Sequence, residues 1–201
     1  MIRVLLADDE NLIRSALAAL LALEDDLEVV AQAASGAEAL AMARAHTPDV
    51  AVLDLQMPDR DGISVAAELA TVLPACAVVV VTGHGRPGHL KRALAAGVRG
   101  FLPKTVAAPV LTDVVRAVAG GGRYVDPELA AEAISAGDSP LTPREADVLE
   151  LAAGGAPVEE IAARVHLSPG TVRNHLSSAA GKLGAVNRHA AVEVARRHGW
   201  I

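Results

Sequence analysis

Five short apolar runs, at Ile2–Ala7, Leu27–Ala31, Val50–Leu53, Ala77–Val81 and Val98–Leu102, alternate with amphipathic segments rich in Ala and Leu. Those segments lie near Asn11–Leu23, Ala37–His46, Ile63–Leu73, Gly88–Ala96 and Ala107–Ala119. A largely apolar run of this length is too short for a buried helix and suits a strand covered on both faces. Parallel neighbours need a crossover between them, and an intervening helix supplies one. Strict alternation therefore confines this stretch to a parallel, doubly wound sheet. The chain is 52% hydrophobic yet has one Phe, one Tyr and one Trp, so its core must be built from Ala, Val, Leu and Ile.

Five strands with five helices suit a flavodoxin-like sheet of order 2-1-3-4-5. Gly120-Gly121-Gly122-Arg123 breaks the alternation. Asp126-Pro127-Glu128 then starts a short helix, with Asp as N-cap and Pro at the first helical position, and Ala136-Gly137-Asp138-Ser139-Pro140 is a linker by composition. Beyond it the pattern is helical throughout. Thr142-Pro143-Arg144-Glu145 is a capping box. Further helices are expected from Pro157 to His166, from Ser168 to Leu183, and from Asn187, as cap, to His198. The expected organisation is an α/β domain over 1–118, a linker with a short helix over 119–139, and an all-α, four-helix domain over 140–201.

The net charge of −6 excludes a chain that coats nucleic acid uniformly, but the charge is uneven. Residues 1–138 carry 11 Lys and Arg against 18 Asp and Glu, whereas residues 139–201 carry 7 against 6 and four of the seven His. Anion binding is thus better sought in the second part. The single cysteine, Cys76, allows no disulfide within the chain and no cysteine zinc site, and is expected to be a small buried hydrophobe. The apolar stretch at the N-terminus is too short for a signal peptide, and no run is long enough to span a bilayer, so a cytoplasmic location is expected.

Polar residues stand at the carboxyl ends of four expected strands, where open α/β sheets place their chemistry. Asp8 and Asp9 follow the first, Asp54 the third, Thr82 the fourth and Lys104 the fifth. Singly, each is an ordinary cap or turn residue. In the order 2-1-3-4-5 these ends adjoin and form one pocket. Three clustered carboxylates need a cation, and an all-oxygen set with room for water favours Mg2+. A carboxylate beside Mg2+ and a Lys can attack a phosphoryl group, because the cations neutralise the transition-state oxygens. Asp8-Asp9, Asp54 with Met57-Pro58 and Gly62, Thr82-Gly83, and Gly100-Phe101-Leu102-Pro103-Lys104 together resemble the receiver domain of two-component response regulators. The resemblance implies that Asp54 is phosphorylated by a histidine kinase. It also implies that Asp9, Asp54 and the Gln56 carbonyl bind Mg2+ directly, with Asp8 acting through water. Lys104 then pairs with the phosphoryl group and Thr82 is the switch residue. Phe101 stands where an aromatic hydroxyl is common, so its part in the switch rests on packing. Gln56 and His84 resemble the positions flanking the attacking water.

The segment Glu160–Leu176 has helix-turn-helix spacing. Ile161, Val165, Leu167, Val172 and Leu176 form an apolar face, and Ser168 caps the second helix. Early polar residues with one Arg and one Asn suit major-groove insertion, since Arg reads guanine and Asn reads adenine. With Leu141-Thr142-Pro143-Arg144-Glu145 upstream and Lys182–Arg188 downstream, the region resembles the LuxR-type DNA-binding domain of NarL/FixJ response regulators. Carried over, Arg173, Asn174 and Ser177 contact bases. Thr171, His175, Lys182 and Arg188 contact phosphates, and Ala190, Ala191 and Val194 form a dimer surface. Pro157-Val158-Glu159-Glu160 departs from the usual Ser-Asn-Lys-Glu-like opening. It loses a capping hydroxyl and a basic phosphate contact and gains an acid.

The expected function is that of a two-component response regulator. A sensor histidine kinase phosphorylates Asp54, and this promotes homodimerisation and sequence-specific binding to double-stranded DNA. No enzymatic turnover is expected beyond slow autodephosphorylation. A phosphorylation-independent DNA binder is the first alternative, and the complete acidic site argues against it. An aspartyl-phosphate phosphotransferase is the second. Such enzymes often carry a further Asp two residues after the first, where this chain has Gln56.

Overall fold

A computed structural model describes residues 1–83, 87–135 and 137–201. The chain forms two compact units, one holding His89–Leu129 with the sheet-forming chain before it, the other holding Ala130–Ile201.

In the first unit, β1 (Ile2–Ala7), α1 (Asn11–Leu21), β2 (Leu27–Ala33), α2 (Gly36–His46) and β3 (Val50–Asp54) lead into α3 (Gly62–Val72). There follow β4 (Ala77–Thr82), α4 (Pro87–Ala95), β5 (Gly100–Pro103) and α5 (Ala108–Ala119). All pairings are parallel, in the order β2-β1-β3-β4-β5. The flavodoxin-like order is thus present. The sheet also has a sixth strand, β6 (Tyr124–Val125), paired parallel to β5 at Gly100↔Tyr124 and Phe101↔Val125. It falls in the stretch expected to be linker. Two residues carry no period, and only the sheet edge offered by β5 makes them a strand.

β3 and β4 are buried along their whole length, as expected of central strands covered by helices on both faces. Val4, Leu6, Val50, Val52, Val79, Val81 and Leu102 join Leu111, Val114, Val115 and Val118 of α5 in one core, with Leu21 from α1. Each of the well-buried aliphatic side chains stabilises the unit by about 1.5–3 kcal/mol relative to exposure. Cys76 is 6% exposed, and burial pushes its thiol up to about 11, so it behaves as a small hydrophobe.

Helix α6 (Pro127–Ser135) begins in the first unit and ends in the second, which continues with α7 (Pro143–Ala153), α8 (Val158–Arg164), α9 (Pro169–Lys182) and α10 (Arg188–Arg197). The capping box is present. The Thr142 hydroxyl accepts from Glu145 N–H at 3.3 Å, and Glu145 Oε2 accepts from Thr142 N–H at 2.7 Å. Ser168 and Asn187 cap α9 and α10, accepting from Thr171 N–H and Ala190 N–H. At α8 the N-cap is Pro157, which offers no side-chain bond. Val148, Leu149, Ile161, Val165, Val172, Leu176, Ala179, Ala191 and Ala195 form the core. Among the described residues no helix is long and apolar enough to cross a membrane.

Candidate functional site

Asp54 and Thr82 are the last residues of β3 and β4, not the residues after them, and Pro103 is the last of β5. The apolar run stops earlier than the backbone ladder: Asp54 still pairs with Val81, and Thr82 with Pro103. That ladder fixes the side chains at one sheet edge. The turn after β3 is equally constrained. Gly62 N–H donates to Leu55 carbonyl at 3.0 Å, and a Cβ on Gly62 would lie 2.3 Å from the Asp54 carbonyl oxygen. Only glycine fits there. Asp59, at φ +66°, accepts from the Gly36 and Ala37 amides at the start of α2 and so ties the loop down.

Asp8, Asp9 and Asp54 each offer a carboxylate oxygen within 4.8 Å of the others. Asp8 is 2% and Asp54 4% exposed, while Asp9 is exposed. The Lys104 ammonium lies 2.8 Å from Asp8 Oδ2, 3.1 Å from Asp54 Oδ2 and 3.1 Å from Glu10 Oε1. Asp8 Oδ2 is fully buried and faces the Lys104 ammonium as its ion-pair partner. Burial lifts Asp54 to about 6 against the pull of Lys104, with Asp8 adding to the rise. For Lys104, burial pulls downward but the Asp8, Asp54 and Glu10 carboxylates win, and its pKa lies above the ordinary value. One ammonium facing several acids leaves the pocket short of positive charge. Three carboxylates that offer only oxygen within 4.8 Å of one another fit a hard divalent cation.

The structure thus brings together Asp8, Asp9, Asp54 and Lys104. Thr82 is buried at the neighbouring strand end, and Lys104 N–H donates to its carbonyl at 2.8 Å. Gln56 is exposed, and its backbone N–H donates to Asp54. Phe101 is fully buried, the largest side chain so enclosed. His84 lies outside the described residues. Glu10 is a member of the site that sequence reasoning missed. It is the third acid of Asp8-Asp9-Glu10, a signal that was available, and it holds Lys104 from the start of α1.

In the second unit, Arg173, Asn174 and Ser177 are all exposed on α9, and Thr171, His175 and Arg188 are partly exposed. Lys182, expected at DNA phosphate, holds its Nζ 2.7 Å from Oε2 of Glu145, a 4%-exposed acid that also accepts from Ser178 Oγ at 2.7 Å, and keeps its side chain 37% exposed. Burial opposes ionisation of Glu145, yet Lys182, Ser178 and Thr142 outweigh it and draw its pKa down to about 2. Ala191 was expected on a dimer surface but is 0% exposed, packed in the core of its own domain. Ala190 and Val194 remain partly exposed. Glu159, the acid that departs from the common pattern, faces Arg173, with Oε1 3.6 Å from Nη2.

Residues 4–116 match the family model for the response regulator receiver domain, and residues 139–195 match that for bacterial regulatory proteins of the luxR family. The chain belongs to the NarL/FixJ-type response regulators and is a two-component transcription regulator. It is similar along its whole length to the transcriptional regulatory protein DesR of Bacillus subtilis (strain 168), at 38% identity over 201 residues covering 100% of each chain. It is 42% identical over 202 residues to the transcriptional regulatory protein UhpA of Escherichia coli (strain K12), again covering 100% of each. Among solved structures, the response regulator RcsB in complex with DNA aligns at a TM-score of 0.63 and 26% identity, covering 97% of this chain and 98% of that one.

Proposed function

We propose that Asp54 accepts a phosphoryl group from a sensor histidine kinase and that this promotes dimerisation and binding to a two-fold related DNA site. The observation that carries the reading is the Lys104 ammonium lying between the Asp8 and Asp54 carboxylates at the carboxyl edge of the sheet, 2.8 and 3.1 Å away. Asp8, Asp9, Asp54 and the Gln56 carbonyl would hold Mg2+, which when bound neutralises phosphoryl oxygens. An Asp54 carboxylate oxygen attacks phosphorus, and the kinase's imidazole leaves with the electron pair of the broken N–P bond. Lys104 orients the incoming group and stabilises its charge, and Thr82 senses it by a hydrogen bond. Phe101, already enclosed, contributes packing to that switch. Slow hydrolysis of the acyl phosphate then resets the protein.

At the DNA, Arg173, Asn174 and Ser177 read bases, while Thr171, His175 and Arg188 hold phosphates. Pairing involves the α10 surface at Ala190 and Val194. The protein works in the cytoplasm. To act as a switch, phosphorylation must favour the paired state by a few kcal/mol. Incubation with acetyl phosphate and Mg2+ tests the scheme by intact mass. One phosphoryl group is gained by the parent and none by Asp54→Asn, and the gain comes with a shift toward dimer in light scattering. An unchanged mass, or labelling that persists in Asp54→Asn, refutes it.

A further inference from the structure

We infer that Glu159 is a positioning residue for Arg173: it holds the guanidinium at a fixed place on the recognition surface and so sets how sharply one base pair is discriminated. This rests on the reading of Arg173 as a base contact. Glu159 occupies the first turn of α8, and Arg173 the second turn of α9. The two helices are locked together by Ile161, Val165, Val172 and Leu176, all in one core, so the backbones cannot drift apart. The two acids of α8 are divided between two partners. Glu160 pairs with Arg164 along its own helix, which leaves Glu159 to face across to Arg173. A carboxylate in the first turn also interacts favourably with the helix dipole.

The pair is loose and exposed in the free protein, with side chains 70% and 61% accessible. Water screens it there. Entry into a groove removes that water and strengthens the attraction. Arg carries five donors, so one edge of the fork can face Glu159 while the other addresses a guanine. Once the pair has tightened in the groove, the guanidinium has fewer orientations open to it and tolerates fewer alternative bases. The same carboxylate repels nearby phosphates, so it lowers sequence-independent affinity while it sharpens choice.

The test uses the full chain, treated with acetyl phosphate and Mg2+, and a duplex pool with a randomised centre. Sites enriched by the parent are compared with those enriched by Arg173→Ala and Glu159→Gln. Arg173→Ala identifies the base position it governs. Glu159→Gln is expected to relax preference at that position about fivefold and to tighten binding to random duplex roughly two- to threefold. In an Arg173→Ala background, Glu159→Gln is expected to change only the random-duplex term. If Glu159→Gln tightens every duplex equally and leaves base preference intact, Glu159 is merely a repulsive charge and the inference falls. If Arg173→Ala relaxes no position, the base-contact reading fails and takes the inference with it. Unchanged Trp200 fluorescence on urea unfolding excludes a folding defect in Glu159→Gln.

Discussion

Glu145 joins the start of α7 to α9 through one buried carboxylate, and its removal has a calculable cost. The carboxylate accepts from Thr142 N–H, Ser178 Oγ and Lys182 Nζ, each at 2.7 Å. Hydrogen bonds to a charged group contribute about 1.5–3 kcal/mol apiece. Lys182, with its side chain 37% exposed, regains water when the acid is removed and recovers most of its share. The Ser178 hydroxyl and the Thr142 amide recover less, and the cap of α7 is lost. Glu145→Ala is therefore expected to cost the domain about 2–4 kcal/mol, a fall in Tm of about 10–25 °C for a unit of this size. The pH dependence has a definite sign. In the folded domain Glu145 is drawn down to about 2 from an ordinary 4.5, so its stabilisation is present above 4.5 and lost as pH falls through about 2. Trp200 supplies the assay. It is the single tryptophan of the chain and packs partly buried against the helical core, 4.5 Å from the His198 ring, so its fluorescence in urea reports this domain. The acid limb of the parent's stability profile should be absent from Glu145→Ala. Lys182→Met, which strands the acid, should shift that limb to higher pH. A Glu145→Ala midpoint equal to the parent's, or an unaltered acid limb, refutes the argument.

Two further outcomes concern the receiver. In Gly62→Ala the new methyl meets the Asp54 carbonyl at 2.3 Å, so the backbone at Asp54 must move. The expected loss is about 2 kcal/mol of receiver stability by urea unfolding followed by circular dichroism, with slower labelling by acetyl phosphate. Parent-like values for both contradict the steric reading. Mg2+ binding should also displace protons from Asp54, which is lifted to about 6 without metal. Calorimetric titration at pH 6 in buffers of different ionisation enthalpy should give roughly half a proton released per Mg2+, and near zero at pH 8. Equal release at both values would mean that Asp54 is already fully ionised.

Much of this architecture was legible because burial and polarity change abruptly at the functional edge. Val50–Leu53 running into Asp54, and Val78–Val81 running into Thr82, mark both a central strand and its carboxyl end. The box at Thr142 and Glu145 was legible because both partners are local. What the sequence concealed depends on long-range pairing. Tyr124-Val125 becomes a strand only because β5 presents an edge. Lys182 meets Glu145 across 37 positions, and Glu159 meets Arg173 across a helix-helix contact, neither of which any local spacing reveals. Ala190 and Ala191 are identical by residue type, yet one is enclosed and the other partly exposed, a distinction set by the rotation of α10 alone.

The receiver's central strands are nearly all valine, alanine and leucine, with four valines in succession at Val78–Val81. Side chains branched at Cβ are restricted at their first torsion, and alanine has none to vary. Such a sheet is a stiff chassis with very few internal coordinates that can take two values. Phe101, enclosed beside it, is the one bulky ring on strands β1 to β5. A displacement at Asp54 thus finds few side-chain torsions within the sheet that could absorb it.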